Sequence, residues 1–530
     1  MLNPTHHRWI YLICLSFVAV GLPFSKAIIS IGEIGLALNF LLEGNLSPRV
    51  KKLFQRPTIL LFVGLFVLHI VGLFWTSDFA YAFQDIRVKL PLLLFPIVVP
   101  AAKRLTQFEF RGLLLIFVSA VIFSSFLSTA EYLKMRINPS VDFREISLFT
   151  SHIRYALMVC LAYLTLLYLA WYESNKWRQL LYFTGAVWTS VFVFVLQSMT
   201  GVVVWLVCSY MLLFYTMFFI KKSGLRAAAF TILIVTPLIM ITYLIFQVDA
   251  YYPDQEPNFS ELETHTAGGE FYKHDTTNLT LENGYYIHQY IAYHELETEW
   301  NKKSDIAFWG GYDEKGQAIN STLMRYLTSK GLRKDSIGIN ALTAEDVTAI
   351  EGGIANVRFL YGNSIDNRLY TIIWEFEQMM HEKNVQGHSV TQRLIFWKTG
   401  WSIFRENDLI GVGTGDVKNA FIDMHERMNS KLSQEYRLRT HNQYLTFAIT
   451  FGSIGLVWFI VMALLPFFNL PHANSFLYIG FALVMYTSML NEDTLETQTG
   501  VTLFAFFNAI LLYGRPYDDS SSSGSDSTSS

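Results

Sequence analysis

Two stretches near the end of the chain decide how it is organised: RLIFWKTGWSIFRENDLIGVGTGDVKNAF at residues 393–421 and HNQYLTFAITFGSIGL at residues 441–456. The first is amphipathic and then passes through closely spaced glycines. The second opens on His441 and continues as an apolar run of the kind that enters a membrane. The pattern predicts a water-exposed segment that ends at the mouth of a membrane helix.

The composition is typical of a membrane protein that carries one large polar insertion. Of the 530 residues, 52% are hydrophobic and only 16% are charged, whereas soluble domains have about 25% charged residues. A formal net charge of −3, without a dense basic run, does not favour a nucleic-acid partner. We therefore expect an all-α polytopic fold whose surroundings are the lipid bilayer.

Twelve apolar segments are candidates for the roughly 20-residue helices that span a bilayer. They lie near residues 9–23, 27–43, 58–75, 88–101, 111–132, 154–172, 179–197, 201–220, 227–247, 443–467, 476–490 and 500–513. This gives nine membrane helices within 1–247, a large loop at 248–442, three helices within 443–513 and a disordered Ser-rich tail at 514–530.

Lys and Arg in the short loops predict the orientation. Basic clusters at 49–56, 103–111, 176–178 and 221–226 fall on alternate loops. We expect a bacterial inner-membrane protein with both termini in the cytoplasm and the loop 248–442 in the periplasm. Within this loop, residues 248–385 form a polar, mainly helical insertion, with a capping box at Thr343 and Asp346 and an amphipathic helix at 367–383.

Several cations lie on the opposite side from the basic clusters. They are Arg87, Lys89, Lys134, Arg136, Arg144 and Arg154. One interpretation is pairing with Asp85, Asp142 and Glu145 together with interfacial snorkelling. The other is an outward-facing site for an anionic lipid head group, since guanidinium groups bind phosphate oxygens in a fork.

The two opening stretches carry the candidate chemical residues. Arg393 shares a helix face with two tryptophans, and this position suits either a membrane anchor or a ligand for an anion. The glycines of GVGTGD predict a tight turn through which backbone approaches a ligand. His441 is an interfacial polar residue or a proton-transfer group. The loop NEDTLETQTG brings acids to the same side, where they orient a histidine, balance arginines or are solvated.

Together these features resemble the signature region of the O-antigen ligase and polymerase superfamily. The resemblance rests on Arg393 before an aromatic-rich helix, Gly411-Val412-Gly413-Thr414-Gly415, His441-Asn442, and Gly452 with Gly455. It extends to the helix number and the late outer loop, and the insertion looks like the Bacteroidetes branch. Many members have an arginine leading into a middle helix, where this chain reads LQSMTGVVVWL at 196–206; Arg87 or Arg154 would then supply the charge.

The resemblance implies a GT-C-like glycosyltransferase fold and inverting transfer that needs neither a metal nor a cofactor. The donor would be a glycan on undecaprenyl diphosphate, and the acceptor would be a sugar hydroxyl on lipid A–core or another glycan. Arg393 and His441 would be catalytic, and Arg393, Arg87 and Arg154 would bind the diphosphate. His441 would act either as the base or as a donor to the diphosphate.

Three other functions remain open from the sequence. A polysaccharide polymerase would use the same donor with a growing chain as acceptor, and a protein O-oligosaccharyltransferase would use a Ser or Thr hydroxyl. A lipid-linked glycan transporter would instead show internal repeats and charges in mid-membrane. No clear repeat is visible, and the candidate residues cluster at one face, so the pattern favours surface chemistry.

Overall fold

A computed structural model of the protein describes residues 3–44, 46–53, 55–135, 146–252, 259–360, 365–380, 389–430, 432–434, 437–470, 472 and 475–516. The predictions for Arg136, Asp142, Arg144, Glu145 and most of the Ser-rich tail lie outside these residues. The chain divides into two compact units. The first comprises Met1–Ala229 and Arg393–Ser530, and the second comprises Phe230–Gln392.

The first unit is built almost entirely from helices. Its first part contains α1 (Pro4–Phe24), α2 (Lys26–Glu43), α3 (Leu46–Leu53), α4 (Pro57–Val71), α5 (Phe79–Lys89), α6 (Pro91–Ala101), α7 (Gln107–Met135), α8 (His152–Trp171), α9 (Lys176–Val195), α10 (Met199–Met217) and the start of α11 (Ser223–Asp249). Its second part contains α17 (Ser389–Glu406), α18 (Val417–Arg427), α19 (Gln443–Asn469), α20 (Phe476–Ser488) and α21 (Gln498–Ala509), of which α17 begins just before the unit boundary.

Each of the twelve predicted apolar segments coincides with a helix. In the described part of the chain, eight helices are long and apolar enough to cross a membrane: α1, α4 with its continuation to Trp75, α7, α8, α9, α10, α11 and α19. The remaining segments form α2 and the shorter α6, α20 and α21. Helices suit a bilayer because they satisfy every backbone polar group within the segment. The protein is a multi-pass membrane protein.

Two helices show how the apolar surface is distributed. In α8, 72% of the candidate span is buried inside the protein, so this helix forms part of the core of the first unit. In α11 only 6% of the span is buried. Because exposed apolar surface of this extent is unfavourable in water, α11 requires the surrounding lipid to cover it.

The helix α19 is divided by Gly452, which adopts φ of 64°. A Cβ atom at this position would lie 2.2 Å from the backbone of Leu409, so only glycine permits the contact. The freed amide of Ser453 donates to the carbonyl of Asp408 at 2.7 Å. The break therefore joins α19 to the connection that follows α17.

The second unit packs short helices around its own core. It contains α12 (Tyr293–Lys303), α13 (Ile319–Ser329), α14 (Ser336–Asn340), α15 (Ala344–Glu351) and α16 (Ile365–Met380). The predicted capping box of Thr343 and Asp346 is confirmed at the start of α15, and the predicted amphipathic helix is confirmed as α16. The expectation of an all-α fold needs one correction, because Leu281–Glu282 and Tyr285–Tyr286 pair as an antiparallel hairpin, β1 and β2.

Candidate functional site

Arg393 lies early in α17, where it forms an ion pair. Its Nη2 donates to Oε1 of Glu492 at 3.0 Å, and 21% of its side-chain surface remains exposed. Phe396, nearly one turn further along, is buried, and its ring centroid lies 5.9 Å from that of His441. The amphipathic pattern of α17 thus places a guanidinium group and a supporting aromatic ring at the same site.

The backbone of His441 is held in an unusual conformation. Its φ is 48°, in the left-handed region that side chains other than glycine rarely adopt. Its amide donates to Asp493 at 3.0 Å, and the same carboxylate accepts from the Thr446 hydroxyl at 2.7 Å. Asn442 then caps α19 by accepting from the amide of Leu445 at 3.0 Å. The hydrogen bonds of Asp493 and of the helix cap therefore fix the orientation of the His441 side chain relative to the backbone.

The imidazole of His441 faces a carboxylate. Its Nδ1 lies 3.9 Å from Oε2 of Glu492, and 33% of the His441 side chain is exposed, against 5% for Glu492. Burial by itself would raise the pKa of Glu492, but His441 and the charges of Arg393 and Arg154 outweigh burial and hold that pKa below its usual value. Glu492 is consequently an anion between a histidine and an arginine.

Arg154, at the start of α8, reaches the same segment. Its Nε donates to the Thr497 hydroxyl at 2.8 Å and its Nη2 to the carbonyl of Asp493 at 3.4 Å. Arg87 lies exposed on α5 and, in the described part of the chain, forms no ion pair or hydrogen bond with these residues. Of the predicted cations, the structure brings together Arg154 and Arg393 but not Arg87. We call Arg154, Arg393, His441, Glu492 and Asp493 the His441 cluster.

A second group of charges, which we call the Lys89 cluster, lies at the other end of the segment 492–496. Nζ of Lys89 is 2.9 Å from Glu496 and 3.5 Å from Asp85, and the Lys89 side chain is only 1% exposed. Arg439 pairs with Glu496 at 2.6 Å and its guanidinium carbon lies 5.4 Å from the ring centroid of Tyr81. The charges of Lys89 and Arg439 overcome the effect of burial and lower the pKa of Glu496 strongly.

Sequence reasoning missed two parts of this arrangement. Arg439 lies two residues before His441 in RLRTHNQ, and that proximity was the available signal. Helix α5 was not predicted as a separate helix because FAYAFQDIRVK contains no long apolar run. The suggested pairing of Lys89 with Asp85 is confirmed at 3.5 Å, but the pairing of Lys89 with Glu496 was not predicted.

The glycine-rich turn packs against another helix of the same unit. Gly411 and Gly413 have φ of 71° and 93°, and a Cβ at Gly411 would lie 2.4 Å from the backbone of Thr450. The amide of Val412 donates to the carbonyl of Ile449 at 2.9 Å, and that of Gly413 to Thr450 at 3.0 Å. The turn is tight, as expected, and its backbone packs against α19; the approach of a ligand to this turn stays a prediction.

Comparison with known proteins relates part of the chain to a family. Residues 349–460 match the family model described as O-antigen ligase, and this range contains Arg393, the glycine-rich turn and His441. The match supports membership of the O-antigen ligase superfamily for the part of the chain that holds these residues. Members of this family are glycosyltransferase-like membrane enzymes of the ligase and polymerase type. No curated protein matches the chain.

The geometry of the His441 cluster suits a reaction in which negative charge develops on a phosphate. Arg393 and Arg154 bring two positive charges to Glu492, which also faces the partly exposed imidazole of His441. Within the described residues, no group of three or more His, Cys, Asp or Glu side chains is arranged to hold a metal ion.

Proposed function

We propose that the protein transfers a glycan from undecaprenyl diphosphate to a sugar hydroxyl on lipid A–core at the periplasmic face of the bacterial inner membrane. The observation that supports this most directly is the convergence of Arg393, Arg154 and His441 around Glu492. The family supplies the class of reaction, and the cluster supplies the groups that such a reaction requires.

The reaction is a displacement at the anomeric carbon of the donor sugar. The acceptor oxygen forms a bond to this carbon while the bond to the diphosphate oxygen breaks, so the configuration inverts. The electron pair of the broken bond leaves with the lipid diphosphate. Arg393 and Arg154 stabilise that developing charge, because donors held in place for the transition state cost no reorganisation during the reaction.

The acceptor hydroxyl must lose its proton as the new bond forms. His441 is partly exposed and is the usual type of residue for proton transfer near neutral pH. In our proposal His441 accepts the proton, and Glu492 beside Nδ1 stabilises the resulting imidazolium. Asp493 contributes indirectly by holding the His441 amide at 3.0 Å. The mechanism uses no metal ion or cofactor.

A reconstituted assay tests these roles. Purified full-length protein in proteoliposomes receives carrier-linked glycan from the native host together with lipid A–core, and transfer is followed on gels. We expect His441→Ala to abolish transfer and EDTA to leave it intact. His294→Ala, which changes an exposed histidine of the second unit, is the matched control. Near-normal transfer by His441→Ala would exclude its role as base.

Deletion of the gene in the native host distinguishes the acceptor. Core-only lipopolysaccharide with long polymer accumulating on the carrier lipid is the result expected for the ligase. Core bearing a single repeat, without long polymer on the carrier, would indicate a polymerase. An unchanged lipopolysaccharide ladder would point to protein O-glycosylation or to another surface polymer.

A further inference from the structure

A groove of about 610 Å³ lies at the end of α17 that is opposite Arg393. Its walls are the connection after α17, the first turns of α18, and the segment after α4. The lining includes Trp75, Glu406, Asp408, Asp416, Asn419 and Asp423. The volume lies within the range of ligand sites in proteins, which is about 300–1,000 Å³.

The walls of the groove are fixed by contacts that converge from distant parts of the chain. The Asp416 carboxylate accepts from the amide of Ser77 at 2.7 Å and from its hydroxyl at 2.8 Å. The Asp408 carbonyl accepts from the amide of Ser453 at 2.7 Å. Such preorganisation lowers the entropy lost when a ligand binds.

The lining combines apolar surface with hydrogen-bonding groups. Trp75, half-buried, and the aliphatic side chains supply the apolar part. In the part of the chain that the structure describes, the side chains of Asp408, Asn419 and Asp423 form no hydrogen bond with other residues. The two carboxylates can only accept hydrogen bonds, so a ligand here must bring donors as well as apolar surface.

The charge of the lining excludes phosphate-bearing ligands, and the arrangement of its acids disfavours a metal ion. Four carboxylates and no Lys, Arg or His line the groove, so phosphate-bearing groups are repelled. These acids are also not arranged as a metal cluster within the described residues. A neutral sugar ring satisfies the remaining requirements, because its hydroxyls donate to carboxylates and amides while its C–H face packs against an indole.

The groove is distant from the reaction centre. Arg393 and Glu406 are thirteen residues apart on α17, which corresponds to about 20 Å along the helix. A sugar in the groove is therefore several units away from the bond that forms. Binding of remote, non-reacting parts of a substrate can supply energy for orientation at the reacting centre.

We propose that this groove is a subsite for uncharged sugar units of a glycan substrate, at a distance from the transferred bond. The assignment rests on the proposed transfer reaction and adds to it a substrate class for this surface. The sugars come from either the donor glycan or the acceptor glycan, and the experiment separates the two.

The first experiment measures transfer by full-length protein in proteoliposomes, with donor and acceptor varied separately. The test variant is Asn419→Ala/Asp423→Ala, and the matched control is Lys418→Ala/Glu426→Ala, which changes exposed residues of the same helix that do not line the groove. We expect the test variant to raise KM about tenfold for one substrate, which corresponds to about 1.4 kcal/mol, with kcat unchanged, because two hydrogen bonds to the sugar are lost. The substrate whose KM rises is the source of the sugar.

The second experiment measures binding without turnover. The probes are the repeat-unit oligosaccharide released from the carrier lipid and the core oligosaccharide released from lipopolysaccharide, each titrated into detergent-purified protein. We expect the wild type and the control variant to bind one probe and the test variant to bind it about tenfold more weakly. The proposal would be overturned if an active test variant had the wild-type KM for both substrates. It would also be overturned if the protein bound Ca²⁺ or phosphatidylethanolamine vesicles in place of either oligosaccharide. A wild type that transfers nothing but still binds the probe through these residues would reject the transfer reaction alone.

Discussion

The segment 492–496 joins two groups of charged residues that are similar in composition and different in setting. The Lys89 cluster surrounds Glu496, and its lysine side chain is 1% exposed. The His441 cluster surrounds Glu492, and its histidine is 33% exposed. Both contain acids with lowered pKa values. Each cluster contains an arginine whose side chain is 21% exposed, Arg393 in one and Arg439 in the other. In the described part of the chain, the His441 cluster adds a partly exposed histidine to its arginine.

The difference indicates that the segment 492–496 has two roles. One end stabilises the fold, and the other end contributes to the candidate functional site. In the Lys89 cluster, Nζ of Lys89 donates to the carbonyl of Leu495 and contacts two carboxylates, so its hydrogen-bonding capacity is used within the protein. In the His441 cluster, the left-handed backbone of His441 depends on Asp493. We infer that the Lys89 cluster holds the segment 492–496 in place, and that this position keeps Glu492 and Asp493 beside His441.

Removal of Lys89 is the most severe test of this comparison. Lys89→Met removes a buried cation from between Asp85 and Glu496, whose side chains are 11% and 13% exposed, and breaking a buried pair costs about 3–5 kcal/mol. We expect a clear fall in the unfolding temperature of the detergent-purified protein. Because the segment also carries Glu492 and Asp493, transfer activity at temperatures below unfolding should fall as well.

The same helix offers a matched control for Lys89. Arg87→Met changes an exposed cation two residues earlier, and exposed substitutions are usually within about 0.5 kcal/mol of the wild type. Lys89→Met/Glu496→Gln removes both charges of the pair and should recover part of the lost stability. An unfolding temperature of Lys89→Met equal to that of Arg87→Met would contradict a structural role for the cluster.

Arg393 tests the other cluster. We expect Arg393→Ala to lower kcat by about 10²–10³, the usual cost of removing one donor that stabilises transition-state charge. Its unfolding temperature should change much less than that of Lys89→Met, because Arg393 is partly exposed. Arg393→Lys keeps the charge but not the fork, and should restore only part of the rate. A rate unaffected by Arg393→Ala would remove the arginine from the mechanism.

Much of the fold could be predicted from the sequence because the length of an apolar segment determines where a membrane helix forms. All twelve predicted segments are helical, including 88–101, where Pro91 opens α6 and two further prolines lie inside it. The break in α19 was harder to predict from the sequence. Gly452 gave a signal, but its left-handed conformation depends on contact with Leu409, forty-three residues earlier in the chain.

The candidate site could be predicted only in part from the sequence. The motif gave Arg393 and His441, and the final acidic loop gave the acids without assigning their partners. Which cation meets which acid depends on helix packing, so the sequence could not separate Arg154 from Arg87. It also could not show that Glu496 belongs with Lys89, since 406 residues separate Lys89 from Leu495, the residue before Glu496.

Acid should affect the two glutamates to different degrees. A carboxyl whose folded-state pKa lies below its unfolded value, about 4.3, stabilises the fold above that pH and loses this contribution as the pH falls through the folded-state pKa. We expect Glu496→Gln to be less stable than the wild type at pH 7, and the difference in unfolding temperature to shrink progressively as the pH falls below about 4.3. Glu492→Gln should show the same convergence from a smaller initial difference. A difference that is constant from pH 7 to pH 3 would contradict the ion pairs.

The smallest effects separate the two arginines that the sequence left as equals. Arg154 contacts Thr497 and Asp493 within the His441 cluster, so Arg154→Ala removes a cation near the departing diphosphate. We expect transfer to fall by about 10- to 10²-fold, since hydrogen bonds to charged groups contribute about 1.5–3 kcal/mol. Arg87→Ala should transfer at the wild-type rate, because Arg87 is exposed on α5 and does not contact the cluster in the described residues. Initial rates of both variants at saturating donor decide the matter. A large loss in Arg87→Ala with none in Arg154→Ala would mean that the diphosphate binds nearer to α5 than to the start of α8.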